Sequence, residues 1–154
     1  FSKYLGTDFR LFLKTKKIFQ QSLLKIKNIK SSYNFYFLIV YPFLKCSTKE
    51  IYSKLIKYET IQNKNNFKKI SRLELVNRLQ LEKNSLENIV ISKFPVIDEI
   101  LQELNISENC QLSRITGSGS ASFGLFLNKK DGALAMKRIK KRFPRFWCVL
   151  CKTI

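Results

Sequence analysis

Thr116-Gly-Ser-Gly-Ser120 is the stretch of this chain whose composition most directly suggests chemistry. Two glycines alternate with small hydroxyl residues between two apolar, β-prone runs. Glycine permits positive φ and close backbone approach, and successive N–H groups in such a loop can form a nest for an anion. The same composition also suits a tight connection between strands with no ligand at all, and the spacing is neither a Walker A loop nor a dinucleotide fingerprint. Asp8, in Leu5-Gly-Thr-Asp8, reads by itself as a turn residue after Gly6. Cys148-x-x-Cys151 has the spacing of half a zinc site or a redox pair. No second pair has ligand spacing and the chain has no histidine. Phe146–Cys151 moreover reads as a strand, in which positions three apart face opposite sides. Structural cysteines and no metal are the expectation.

Charge bounds the partners. The 154 residues carry 29 basic and 11 acidic side chains, a net charge of +18. That excess would suit RNA or an acidic surface, and a basic, non-catalytic RNA- or anion-binding module is the alternative reading. Lysine supplies most of it, however, and Ile and Asn are abundant too, which is the drift expected of A/T-rich codons. The excess is also diffuse: residues 1–70 carry 15 basic and 3 acidic groups and residues 71–154 carry 14 and 8. Aromatic residues reach 13%, but they fall in strands and on helix faces instead of interleaving with arginine as a nucleic-acid surface would. No specific nucleic-acid partner is expected. The apolar run Phe35–Tyr41 is far too short to span a bilayer, which takes about 20 residues, so no membrane partner is expected either. Four cysteines without a visible leader fit a reducing cytoplasm. A first residue of Phe1 instead of Met suggests a missing N-terminus.

The loop needs elements to hold it. Tyr33–Tyr41 is aromatic and β-branched, a strand stopped by Pro42. Ser47 or Thr48 should cap a helix over about Lys49–Tyr58, and Ser71 a helix containing Leu73, Val76 and Leu79. Residues 60–69 are polar and Asn/Lys-rich, a loop or link. Ser85 should cap Leu86–Lys93, and Pro95 or Val96 should open a helix whose Ile97, Ile100, Leu101 and Leu104 follow an i, i+3, i+4, i+7 stripe. Strand, glycine loop and strand follow over Gln111–Ile115, Thr116–Ser120 and Ala121–Leu127. A helix over Asp131–Arg142 and a last strand at Phe146–Lys152 complete the pattern. Helices on one face of a mostly antiparallel sheet, an α+β fold, is the implied architecture.

Ile115-Thr-Gly-Ser-Gly-Ser-Ala-Ser-Phe-Gly-Leu-Phe126 resembles the third motif of the GHMP small-molecule kinases. Asn84-Ser-Leu-Glu-Asn-Ile-Val90 with Phe94-Pro95, Phe37-Leu-Ile-Val-Tyr-Pro42 with Ser47-Thr-Lys-Glu50, and Phe143–Thr153 resemble segments of the diphosphocytidyl-methylerythritol kinases within that superfamily, and in the same order. Leu5-Gly-Thr-Asp8 is similar to their Gly-Ala-Asp. The resemblance implies a GHMP-kinase C-terminal domain over residues 31–154 and a remnant of an N-terminal kinase lobe over residues 1–30. It implies ATP, with Mg2+, as phosphoryl donor and the 2-hydroxyl of a diphosphocytidyl-methylerythritol as acceptor. Asp8 falls at the position of the family's catalytic acid residue, and Thr116, Gly117, Ser118, Gly119 and Ser120 would line the cleft near the transferring phosphate. The chain departs from the family in places. No segment resembles the N-terminal Lys or the long Gly/Ser-rich phosphate loop, Phe9-Arg10 stands where Val-Pro is usual, and Phe43 replaces the glycine after Pro42. A truncated chain, inactive without a separate N-terminal half, is the expectation.

Overall fold

The computed structural model describes residues 18–20, 26–28, 33–56 and 70–153. The chain divides into two compact units, one running up to Asn34 and the other spanning Phe35–Thr153. In the first, β1 (Ile18–Gln20) and β2 (Ile26–Asn28) pair antiparallel, with Phe19 opposite Lys27.

The second unit is built around β3 (Tyr36–Tyr41). Its β-branched and aromatic residues suit a pleated surface, and Leu38 and Val40 are wholly buried on one face. β3 pairs antiparallel with β5 (Ser122–Phe126) on one side and with β6 (Trp147–Lys152) on the other, Leu38 lying opposite both Gly124 and Leu150. β4 (Cys110–Ile115) extends the sheet from β5, giving the order β4-β5-β3-β6. Read in chain order, this is the split βαβ arrangement with two strand–helix–strand halves interleaved.

Five described helices accompany the sheet: α1 (Thr48–Ser53), α2 (Arg72–Leu81), α3 (Glu87–Lys93), α4 (Val96–Asn105) and α5 (Lys129–Arg142). Ser47 and Ser71 cap α1 and α2, their hydroxyls accepting from the N–H groups of Glu50 and Glu74. Both starts have the Ser-x-x-Glu spacing of a capping box. The stripe on α4 meets the sheet as its spacing requires: Ile97, Ile100 and Leu104 are fully buried and Leu101 nearly so. Each such side chain contributes about 1.5–3 kcal/mol by leaving water. The core they form includes Leu38 and Val40 from β3, Ile51 from α1, Val90 from α3, Phe126 from β5 and Ala135 and Ile139 from α5. α5 rests close to β6, where a Cβ added at Gly132 would lie 2.6 Å from Leu150 Cδ1. The α4 carboxylate Glu103, itself buried, is held by Arg138 and Arg142 of α5. A buried charge needs such partners to offset its desolvation.

Three local expectations are corrected. The first helix ends at Ser53, not Tyr58, because Lys54 and Leu55 turn their N–H groups back to Ile51 and Tyr52 and tighten the last turn. Ser85 does not cap α3. Its N-cap is Leu86, without a side-chain cap bond, and Asn84 closes the turn before it, its Oδ1 accepting the Leu86 N–H at 3.0 Å. α5 begins at Lys129, two residues early, because Asn128 Oδ1 accepts the Asp131 N–H at 2.9 Å.

The two ends of the unit meet. Phe35 N–H donates to Thr153 Oγ1 at 2.9 Å and Thr153 N–H returns a bond to Phe35 O at 2.9 Å. The outer side of β4 is closed by side chains, with Gln80 of α2 donating to Gln111 O and Asn84 to Ile115 O, while Glu87 of α3 accepts from Ile115 N–H. Such cover satisfies backbone groups that an edge strand leaves open.

Candidate functional site

β4 delivers the chain to one end of the sheet at Ile115, and β5 takes it back at Ser122, directly opposite. Thr116–Ser120 forms the connection. Thr116 N–H donates to Ala121 O at 2.8 Å and Gly119 N–H to Thr116 O at 2.9 Å, closing a turn over four residues. The loop takes the left-handed region at two positions, Gly117 with φ +54° inside that turn and Gly119 with φ +80° at its end, a conformation that glycine adopts without cost.

The loop is gripped from two sides. From the segment after β3, Cys46 Sγ donates to Ser118 O at 3.0 Å, Ser120 Oγ donates to Leu44 O at 2.8 Å, and Thr48 Oγ1 and Ser118 Oγ share a hydrogen bond of 2.9 Å. From the start of α3, Asn84 Nδ2 donates to Gly117 O at 2.8 Å and Ile115 O at 3.3 Å, and Glu87 Oε2 accepts from Ile115 N–H at 2.9 Å. Among the described residues, the adjacent N–H groups of Gly117 and Ser118 donate to nothing. Two consecutive donors left over in a Gly/Ser turn are what an anion nest uses.

Beside the loop, Lys93 of α3 donates to Glu50 of α1, and Lys54 Nζ lies 3.7 Å from the same carboxylate. The Lys93 hydrogen bond holds the Glu50 carboxyl below its usual range. A cavity of about 380 Å³ opens here, lined by Lys54, Asn88, Ile89, Ser92 and Lys93. Burial pushes the Cys46 thiol up, against the opposing pull of Lys93, so Cys46 serves as a neutral donor to Ser118 O and not as a thiolate.

Asp8 lies outside the described residues. Cys148 is buried and Cys151 exposed, on opposite sides of β6, and no three potential metal-ligating side chains come together among the described residues. The loop brings in residues that their local sequence did not single out for it: Cys46 and Thr48, about 70 residues earlier, and Asn84 and Glu87, about 30 earlier. The first of these pairs carries no local signal. Asn84 and Glu87 stand in the Asn-x-x-Glu segment that leads into α3, and their reach to the loop is not readable from it.

A family model described as GHMP kinases C terminal matches residues 58–145. The chain belongs to the GHMP kinase family. The α+β fold expected from the sequence is the one this family brings. This GHMP kinase chain is 31% identical over 153 residues to the 4-diphosphocytidyl-2-C-methyl-D-erythritol kinase of Pelagibacter ubique, a match covering 99% of the chain and 53% of that protein. It is 34% identical over 143 residues to the kinase of the same name from Thermodesulfovibrio yellowstonii, covering 84% of the chain and 46% of that protein. The chain thus spans about half the length of the curated relatives it matches. A crystal structure of 4-(cytidine 5'-diphospho)-2C-methyl-D-erythritol kinase shares its fold, with a TM-score of 0.67 at 20% identity over 97% of this chain and 55% of that one. A homoserine kinase from Cytophaga hutchinsonii does so with a TM-score of 0.62 at 15% identity, over 89% of this chain and 47% of that one. No described helix is long and apolar enough to cross a membrane.

Proposed function

We propose that this chain is the C-terminal part of an ATP-dependent kinase that phosphorylates the 2-hydroxyl of 4-diphosphocytidyl-2-C-methyl-D-erythritol, in the methylerythritol phosphate route to isoprenoid precursors. The observation that carries the reading is the braced Thr116–Ser120 loop with its two adjacent undonated N–H groups, in a chain of the GHMP family whose relatives bear that kinase's name. ATP, brought with Mg2+, would supply the γ-phosphoryl group. The Gly117 and Ser118 N–H groups would hold a phosphate oxygen, and the hydroxyls of Thr116, Ser118 and Ser120 would line the same end of the cleft. Asp8 would accept or orient the proton of the acceptor hydroxyl, a contribution of about 10²–10⁴-fold for a placed general base. Residues 1–30 would be the remnant of the N-terminal lobe, and a separate N-terminal half would bring the phosphate loop and Lys on which phosphoryl positioning depends. The reaction would run in the cytoplasm, where the four thiols stay reduced.

Release of ADP in the presence of diphosphocytidyl-methylerythritol tests this. Residues 1–154 alone should give no turnover. Mixing them with the N-terminal half of the Pelagibacter ubique relative should restore it, and Asp8→Asn should remove it again. Turnover by the chain alone would overturn the division of labour. Rescued turnover that ignores the diphosphocytidyl substrate would overturn the substrate.

A further inference from the structure

We infer that Asn84 is a positioning residue that aims the Ser118 N–H of the loop, with Glu87 anchoring the loop's base. A peptide unit is planar and, here, trans, so its N–H points opposite to its C=O. Gly117 O and Ser118 N–H belong to one such plane. Asn84 Nδ2 fixes the carbonyl at 2.8 Å, and this bond therefore sets where the free N–H is directed. The neighbouring plane, which carries the free Gly117 N–H, is fixed separately by the Thr116 O to Gly119 N–H bond within the turn. The two donors are thus held by different devices, one internal to the loop and one reaching in from α3.

The orientation of the Asn84 amide follows from its neighbours. Its oxygen faces the Leu86 N–H at 3.0 Å and its nitrogen faces two carbonyls, Gly117 O and Ile115 O. The flipped amide would set oxygen against both carbonyls and NH2 against an N–H, losing all three bonds. Glu87 completes the grip one helical turn on, its Oε2 accepting the Ile115 N–H at 2.9 Å. One side chain thus ties the turn before α3 to the aim of a loop donor.

The consequence for anion binding rests on the function proposed above, and the test separates the two. Inorganic tripolyphosphate is titrated into the 15N-labelled 154-residue chain while the Gly117 and Ser118 amide resonances are followed. Asn84→Asp keeps an acceptor for Leu86 N–H but sets a carboxylate oxygen against Gly117 O. The expected result is a displaced Ser118 resonance before any ligand is added, a Gly117 resonance that moves less, and tripolyphosphate affinity lower by about tenfold, as for one lost hydrogen bond. Asn84→Ser, which keeps a helix-start acceptor but is too short to reach the loop, should displace Ser118 likewise. It decides the matter if the aspartate variant does not fold. Glu87→Gln, which retains an acceptor, should leave the loop in place where Glu87→Ala disturbs it. A Ser118 amide unmoved in both Asn84 variants would overturn the inference. If the wild-type amides ignore tripolyphosphate while the variants still displace Ser118, the phosphate reading fails and the aiming role stands.

Discussion

Alanine at Gly119 tests the loop's geometry against the core behind it. The residue sits at φ +80°, where an L side chain costs about 1–2 kcal/mol. An added Cβ would also lie 3.0 Å from Val90 Cγ1, 3.5 Å from Val90 Cγ2 and 3.7 Å from Cys46 Sγ. Val90 is fully buried in the core and cannot give way cheaply. Forcing a methyl into packed surroundings adds about 1–3 kcal/mol, for a total of about 2–5 kcal/mol. Gly117→Ala is the internal control. Its φ is +54° and nothing lies within 4 Å of the added carbon, so only the backbone term of about 1–2 kcal/mol applies. The gap between the two variants is what Val90 contributes. Urea unfolding of both, followed by circular dichroism and by the fluorescence of Trp147, measures it. The double variant Gly119→Ala/Val90→Ala removes the γ carbons that clash and should lose less than the sum of its singles. A Gly119→Ala cost within about 0.5 kcal/mol of Gly117→Ala, the range in which independent sites agree, would refute the claim that the loop's second glycine is set by contact with α3.

Two further outcomes follow from the titrating groups. Because hydrogen bonding from Lys93 depresses the Glu50 carboxyl, the link between α1 and α3 should be intact above the ordinary unfolded carboxylate value and lost as pH falls through the lower folded one. Acid titration of wild type against Glu50→Gln should show the two converging below that range, and curves that stay parallel would exclude the pair as the cause. Thiol labelling at pH 8 should modify exposed Cys151 first, while Cys110, whose thiol burial pushes up to about 11, and buried Cys148 react only as the domain unfolds. Equal rates at all four thiols in urea-free buffer would contradict the packing.

Where a signal was local, the sequence carried it. Ser47 and Ser71 cap helices because a hydroxyl three residues before a waiting N–H needs nothing from the rest of the chain. The α4 stripe placed its own buried face, and the strand–glycine loop–strand unit lay where its residue types put it. Ser85 misled because α3 starts after Leu86 with no side-chain cap, and the Leu86 N–H is taken by Asn84, one residue before Ser85. The end of α1 had no glycine or proline to mark it. Strand order was illegible since β3 pairs with strands more than 80 residues away. The bracing of the loop by Cys46 and Thr48 depends on that same long-range pairing, which no spacing rule encodes.

The paired bonds between Phe35 and Thr153 give the unit a single point of entry and exit. A module whose two ends are joined there can be lifted from one chain and spliced into another with little disturbance to its interior, since both cuts fall at the same spot on its surface. It can also be reopened elsewhere: linking residue 153 to residue 35 through a short spacer and cutting a distant exposed turn would yield a permuted chain with the same strand order.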